Sequence, residues 1–393
     1  MLFRRLPWEY AVRNLFRRPL RTGLTFVGLT TVILMVFVVV GFIRGLTKSL
    51  VVSGDKNTAV VYSQGMGANL EYSSIAMRTS DLVPASVPGV AVRYGKKAVS
   101  PELYLGTEIG FPDREGDARD VKSLGLVRGV TPGVLLVRRR VELETGDWPQ
   151  LGEVIVGRLA ATKLGVREEE LTVGSSIEME GRAWRVSGVF SSAGSAFESE
   201  IWCDLQELQQ AMKRQDLSLV ALAWGPDGES ANLEEFCQDR LDLELQAMSE
   251  DNYYAALQKD YAPIMYLSWL VVALVAGAGV LAGLNTMYGA VIGRIRELST
   301  LQTIGFGRTA ILLSLLQEGL LLAAAASLTA TGLSLLLING AAIRFTMGAF
   351  HLQIDNVAIL IGCGVGFLLG LLGTIPAAIR GLRKPIVEGL KSA

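Results

Sequence analysis

The chain holds one histidine, His351, and three cysteines, Cys203, Cys237 and Cys363, among 393 residues. A single imidazole excludes His-rich metal sites, and no Ser/His/Asp hydrolase set can be assembled around it. The acidic residues are scattered without the spacing of a calcium-binding loop. No G-x-x-x-x-G-K-[ST] run occurs, so the chain has no phosphate-cradling loop of its own. No cofactor is expected. Charge is scarce too: 19% of residues are charged, against about 25% in soluble domains.

What is there in its place is hydrophobic sequence, in four stretches. Gly23–Ile43, Ala262–Gly293 and Asn356–Ile379 are uncharged, and Thr309–Ile343 is interrupted only by Glu318. About 20 apolar residues suffice for a helix to cross the hydrocarbon core. In lipid the backbone must satisfy its own hydrogen bonds, so such runs predict helices. The first run is longer than a signal-peptide core and no A-x-A-like cleavage site follows it, which favours an uncleaved anchor.

Charge sorting sets the expected orientation. Arg4, Arg5, Arg13, Arg17, Arg18 and Arg21 precede the first span. Arg294, Arg296 and Arg308 lie between the second and third, and Arg380, Arg383, Lys384 and Lys391 follow the fourth. The loop between the third and fourth spans has only Arg344. The positive-inside rule then places both termini in the cytoplasm, in a multi-pass protein of the cytoplasmic membrane. Residues 47–262 fall outside, with 22 Lys and Arg against 33 Asp and Glu, a net of −11 in a chain whose whole net charge is −1. Scattered acids on such a domain read as a solvated face. The basic clusters flank spans, where lipid headgroups explain them, and nothing favours nucleic acid.

The expected fold class is a multi-pass α-helical membrane protein with four transmembrane helices and a large α+β extracytoplasmic domain inserted between helices 1 and 2. Its expected parts are a cytoplasmic amphipathic helix (1–22), a first span (23–46), the extracytoplasmic domain (47–262) and a C-terminal permease-like region (263–393). That last region contains spans at about 263–292, 309–340 and 356–379, a cytoplasmic loop at 293–308 and a cytoplasmic tail at 380–393. Pro7 is placed to open the first helix. Inside the large domain, Thr58–Tyr62 predicts a strand, and Glu153–Val156 a strand leading into a helix that Gly165 ends. A hairpin is expected around Glu180-Gly181, and Leu205–Met212 reads as a helix. A helix from about Asn252 is expected to run straight into the second span. Cys203 and Cys237 fall on the oxidising side, which leaves a disulfide and two separate buried thiols both open.

Three features suggest working parts. Gly362, Gly366 and Gly370 in the fourth span, and Gly279 and Gly283 in the second, recur every four residues, the spacing that lets helix backbones approach. Glu318 is the ionisable residue set well inside a span, either a contact between spans or a proton site. Arg294–Ile304 reads as a short cytoplasmic helix with charges at Arg294, Arg296 and Glu297, an apolar ridge at Leu298 and Leu301, and a stop at Gly305. Such a helix would dock its leucines in a groove of a partner.

Three motifs then resemble one family. They are AVRNLFRRPLRTGLT from Ala11 to Thr25, RIRELSTLQTIG from Arg294 to Gly305, and PAAIRGLRKPIVEGL from Pro376 to Leu390. In this order they are similar to the MacB/FtsX-like permeases of ABC transporters, including the LolC/LolE and DevC types. The stretch from Val156 to Val189 matches in style. Gly381 and Gly389 depart from the alanines usual there. The resemblance implies a non-catalytic permease subunit that pairs with a second permease, as a homo- or heterodimer, on a separate cytoplasmic ABC ATPase. A membrane-fusion protein is a further partner it allows. Arg294–Ile304 would be the coupling element, moving the extracytoplasmic domain to export or extract a lipoprotein, glycolipid, peptide or drug. An FtsX-like subunit that regulates a cell-envelope enzyme without transport is the alternative. Outside the family, a ligand sensor without an ATPase partner stays open, and the missing imidazoles argue against a membrane hydrolase.

Overall fold

Uncharged runs favour helices in an apolar medium because a helix satisfies its backbone hydrogen bonds within one segment. In the computed structural model, which describes residues 8–17, 19–67, 69–112, 122–346 and 348–383, four helices are long and apolar enough to cross a membrane: Pro19–Ser53, Ala262–Ile292, Arg308–Leu337 and Asn356–Leu382. Pro7 and residues 384–393 lie outside the described residues. The first of the four spans 35 residues, about 50 Å at 1.5 Å per residue, well beyond the core of a bilayer. Pro19 sits at its first position, where a missing N–H costs nothing. Asp355 caps the fourth, accepting from the Ala358 N–H at 2.9 Å.

The chain divides into two units. A helical unit comprises residues 1–44, 263–341 and 352–393; a sheet unit comprises 45–262 and 342–351. The helical unit is centred on Ile33, Phe37, Ala326, Ala330, Ala358 and Leu369. A short amphipathic helix, Trp8–Arg17, precedes the first span. Arg44 donates to Asp355 at 2.9 Å, joining the first and fourth helices.

The sheet unit mixes strands and helices around one core. Its ten-stranded sheet runs in the order Leu245–Ser249, Thr58–Ser63, Leu219–Ala223, Val99–Gly110, Ser123–Val130, Glu200–Asp204, Glu153–Gly157, Arg182–Ser191, Glu142–Gly146, with Ser176–Met179 paired off that path. Val99–Gly110 is the hinge of this order. Its first half pairs with Leu219–Ala223, and its second half pairs with Ser123–Val130 and, at Ile109, with Met179. Ser176–Met179 pairs in turn with Arg182–Ser191. Six strands therefore close on themselves, which removes their edges.

Local chemistry fixes several of these elements. Glu180 and Gly181 both take positive φ, 49° and 71°, as a two-residue hairpin turn requires. Alternation then buries Trp184, Val186 and Phe190 on one face of the following strand. Gly165 ends the helix Ala160–Leu164 in the left-handed conformation. Asp204 caps Leu205–Ala211 by accepting from Gln206 and Glu207. Two expectations change. The helix that was to start near Asn252 is two helices, Glu250–Asp260 and Ala262–Ile292, separated by a turn at Tyr261. The connection between the third and fourth long helices, read as a bare loop, forms a hairpin of Ala342–Phe345 with Gly348–His351 that belongs to the sheet unit.

Candidate functional site

The glycines of the long helices are where backbones meet. A Cβ at Gly362 would collide with the Phe37 ring, and one at Gly366 with Ser327 Oγ. At Gly370 it would lie 2.8 Å from Ala323 Cβ, and at Gly279 2.9 Å from Val32. Gly283 differs: its nearest neighbour would be Gly373 Cα at 3.7 Å, an ordinary contact. The fourth helix is thus seated by its glycines against the first and third. Overpacking a tight site costs about 1–3 kcal/mol. Gly362→Ala is therefore expected to lower the thermal stability of the purified protein, while Gly283→Ala leaves it unchanged or slightly raised. Equal effects from the two would show that neither position limits packing.

The segment around Arg294 is built differently from its sequence expectation. The helix Ile295–Thr303 follows Arg294, which is buried. Its guanidinium forms a two-pronged pair with Glu318, Nη1 to Oε2 at 2.9 Å and Nη2 to Oε1 at 3.1 Å, and Nη2 also reaches the Asn14 carbonyl at 3.5 Å. One arginine so joins the amphipathic N-terminal helix, the short helix and the third long helix. Glu318 lies ten residues into that helix, about 15 Å from its start, and its charge is met there by a guanidinium. Leu298 is not available to a partner. It is buried with Val291, Ile311, Leu315, Ala378 and Leu382, and Leu301 packs on the same cluster. The ridge that reads as a docking edge is the seat of the helix on its own unit. The face left exposed carries Arg296, Glu297, Thr300, Thr303 and Ile304, with Glu297 3.9 Å from Arg17. Gly305, at φ 101°, makes the turn that follows.

In the sheet unit the acids are not all on a solvated face. Glu102, Glu200 and Glu250 are buried together with Arg128 and Arg138. Arg128 donates to Glu102 at 2.6 Å and to Glu200 at 2.6 and 2.7 Å. Arg138 donates to Glu102 at 3.0 and 3.1 Å and to Glu250. The Trp202 indole donates to Glu200 at 2.7 Å. The Arg128 guanidinium lies 4.2 Å from the Tyr104 ring centre, and that of Arg138 4.3 Å from Phe197. Burial alone would raise the Glu102 carboxyl, but Arg138 and Arg128 outweigh it and hold the group below its usual value. For Glu250 burial wins, and its carboxyl is raised. No spacing in the sequence marks these five residues as a set.

Cys203 and Cys237 are both free and buried. Burial pushes the Cys203 thiol well up and the Cys237 thiol up to about 11, so neither is poised as a nucleophile. Among the described residues no group of His, Cys, Asp and Glu is arranged to hold a metal ion.

Comparison with known proteins follows this geometry. Residues 22–233 match the model of the MacB-like periplasmic core domain, and residues 269–386 that of the FtsX-like permease C-terminal region. No curated protein matches the chain. Among solved structures, the periplasmic region of MacB from Actinobacillus actinomycetemcomitans is 11% identical with a TM-score of 0.39, over 52% of this chain and 94% of that one. The extracellular domain of the noncanonic ABC-type transporter YknZ from Gram-positive bacteria is 15% identical with a TM-score of 0.37, over 49% of this chain and 100% of that one.

Proposed function

Since the chain belongs to the MacB/FtsX-like family of ABC transporter permeases, membrane proteins that work with a cytoplasmic ABC ATPase, we propose that it is the permease of a mechanically coupled exporter or extractor. ATP-driven closure of a separate ATPase pair moves the short helix Ile295–Thr303, and the long helices pass that motion to the sheet unit. Both termini and the short helix lie on the cytoplasmic side of the cell membrane, as the Lys and Arg distribution favours. A second permease subunit completes the assembly. The size of the sheet unit, which carries its own closed strand circuit and core, favours transport over simple signalling to an envelope enzyme.

The observation that carries this reading is the Arg294–Glu318 tether. It fixes the short helix to a long apolar helix and leaves one face exposed for a partner. The ATPase would meet Arg296, Glu297, Thr300 and Ile304. Charge reversal at such a contact costs several kcal/mol when a like charge faces it. Glu297→Lys is expected to weaken co-purification with the cognate ATPase about tenfold or more, at normal membrane levels. Leu298→Ala should instead lower thermal stability, by about 2–5 kcal/mol for a buried leucine, with docking retained per folded molecule. Wild-type co-purification and ATP turnover for Glu297→Lys would remove this face from the coupling path. Labelling of a cysteine placed at Asp227 in intact cells checks the orientation; reaction only after lysis would reverse it.

A further inference from the structure

Charge in the sheet unit is unevenly spread. Residues 47–262 carry a net of −11, yet three cations converge on one open hollow of about 450 Å3. They come from elements far apart in sequence. Lys122 stands just before the strand Ser123–Val130, Lys163 lies in the helix Ala160–Leu164, and Arg344 lies in the hairpin strand Ala342–Phe345. That helix packs against both strands, which gathers the three within one unit. Ser123 and Thr346 also line the hollow and bring hydroxyls to it.

Lys163 is the most informative of them. It is 7% exposed, and an ammonium so buried is normally paired with a carboxylate. Its Nζ donates instead to the Thr346 carbonyl at 2.8 Å. Among the described residues neither Lys163 nor Arg344 forms an ion pair. Glu71 acts on Lys163 from beyond ion-pair distance. Lys122 reaches Glu108 at 3.9 Å, an exposed pair of the kind that contributes little. Burial first, and then Arg344, push the Lys163 ammonium below its usual value, with Glu71 opposing them. Gly165 makes room for the arginine: a Cβ there would lie 2.7 Å from Arg344 Nη1. Two cations therefore face one hollow with no anion paired to either.

We propose that this hollow binds a phosphate group, held by Lys163 and Arg344, with Lys122 at the rim. A phosphate ester presents three acceptor oxygens and about 1.5 to 2 negative charges at neutral pH. That suits converging cations better than a carboxylate, with one charge and two oxygens. The planar fork of an arginine bonds two oxygens at once, while a lysine acts as a point charge. The hollow exceeds the roughly 150 Å3 that holds a benzene ring, so part of the molecule that carries the phosphate fits as well.

Two sources carry this chemistry. One is a soluble phosphate ester. The other is a lipid with a terminal phosphate, since the hairpin that bears Arg344 is tied by four residues at either end to the long helices that finish at Leu337 and begin at Asn356. The inference stands on the hollow and its charges, and does not depend on the transport reading.

The test uses the full-length protein in phosphatidylcholine nanodiscs, with glycerol 3-phosphate as the probe and glycerol as its uncharged match. Isothermal titration calorimetry at constant ionic strength reads the binding. Glycerol 3-phosphate is expected to bind at least tenfold more tightly than glycerol. Lys163→Met should abolish that difference. Arg344→Gln should weaken glycerol 3-phosphate at least tenfold, and because Arg344 is exposed it carries the test if Lys163→Met does not fold. Arg139→Gln removes the same charge from an exposed position outside the hollow and should bind as wild type does. Weaker binding in discs that contain phosphatidic acid than in discs made equally negative with oleate assigns the site to the lipid phosphate. Equal binding in the two assigns it to a soluble ester. Equal affinity for glycerol 3-phosphate and glycerol, or binding by Arg344→Gln as tight as by Arg139→Gln, overturns the proposal.

Discussion

Arg128→Met is expected to lower the unfolding temperature of the sheet unit by about 10 °C. The substitution leaves Glu102 and Glu200, both buried, without their shortest hydrogen bonds. Removing one partner from a buried ion pair costs about 3–5 kcal/mol, because the other charge stays buried and uncompensated. In a unit of this size each kcal/mol moves the midpoint by about 2–4 °C. Arg139→Met is the control, since Arg139 is exposed and its replacement should stay within about 0.5 kcal/mol. Differential calorimetry of the detergent-purified protein reads both. A midpoint for Arg128→Met no lower than that for Arg139→Met would mean that this network contributes nothing to stability.

That network also marks where the sequence ceased to be informative. Long-range order came through wherever a rule acts on neighbouring residues. Gaps in charge gave the four long helices; Glu180-Gly181 gave a hairpin through two positive φ values; Gly165 gave a helix end. The five-residue network obeys no such rule. Arg138 pairs with Glu102 and Glu250, 36 and 112 residues away, and each member alone reads as an ordinary surface charge. The hairpin at Ala342–Phe345 and Gly348–His351 was hidden for another reason. Its strands have four residues each and no clean alternation, and Gly348 and Ala349 pack inside the sheet unit although their neighbours in sequence belong to helices.

The short helix shows a third kind of limit. Periodicity found an apolar ridge at Leu298 and Leu301, and the ridge exists. Periodicity has no means to say what covers it. An amphipathic face looks the same whether it is buried against its own chain or offered to a partner. Here the cluster around Ile311, Leu315 and Ala378 covers it. A clue was present in Glu318: an ionisable residue that deep in an apolar run needs a counter-charge, and Arg294 stood at the near end of the preceding segment. The glycine spacing, by contrast, falls at Gly362, Gly366 and Gly370 on positions where an added Cβ would meet Phe37, Ser327 and Ala323.

Reversing Arg294 and Glu318 together should restore what either reversal destroys. The pair is two-pronged and buried, with both guanidinium nitrogens on carboxylate oxygens. Glu318→Arg sets two guanidiniums against each other, and Arg294→Glu two carboxylates. Each single variant should cost at least the 3–5 kcal/mol of a broken buried pair, and folded protein in the membrane should fall sharply. The double variant Arg294→Glu, Glu318→Arg regains the attraction, less the bond from Arg294 to the Asn14 carbonyl. Its membrane level should recover most of the loss. Glu318→Gln also costs stability, because the Arg294 guanidinium stays buried without its counter-charge, so its coupling is read per folded molecule. It keeps the shape and one acceptor oxygen but leaves the guanidinium unneutralised, so the short helix is held less firmly to the third long helix. Under the proposed transport function, Glu318→Gln in complex with the cognate ATPase is expected to co-purify normally, because the exposed face proposed to dock, at Glu297 and Ile304, is unchanged, yet to show transport at least tenfold below wild type per ATP hydrolysed. Coupling equal to wild type in Glu318→Gln would reduce the pair to a structural contact. A double variant no better than either single one would mean that the geometry at this site, and not its charge, is what the helices require.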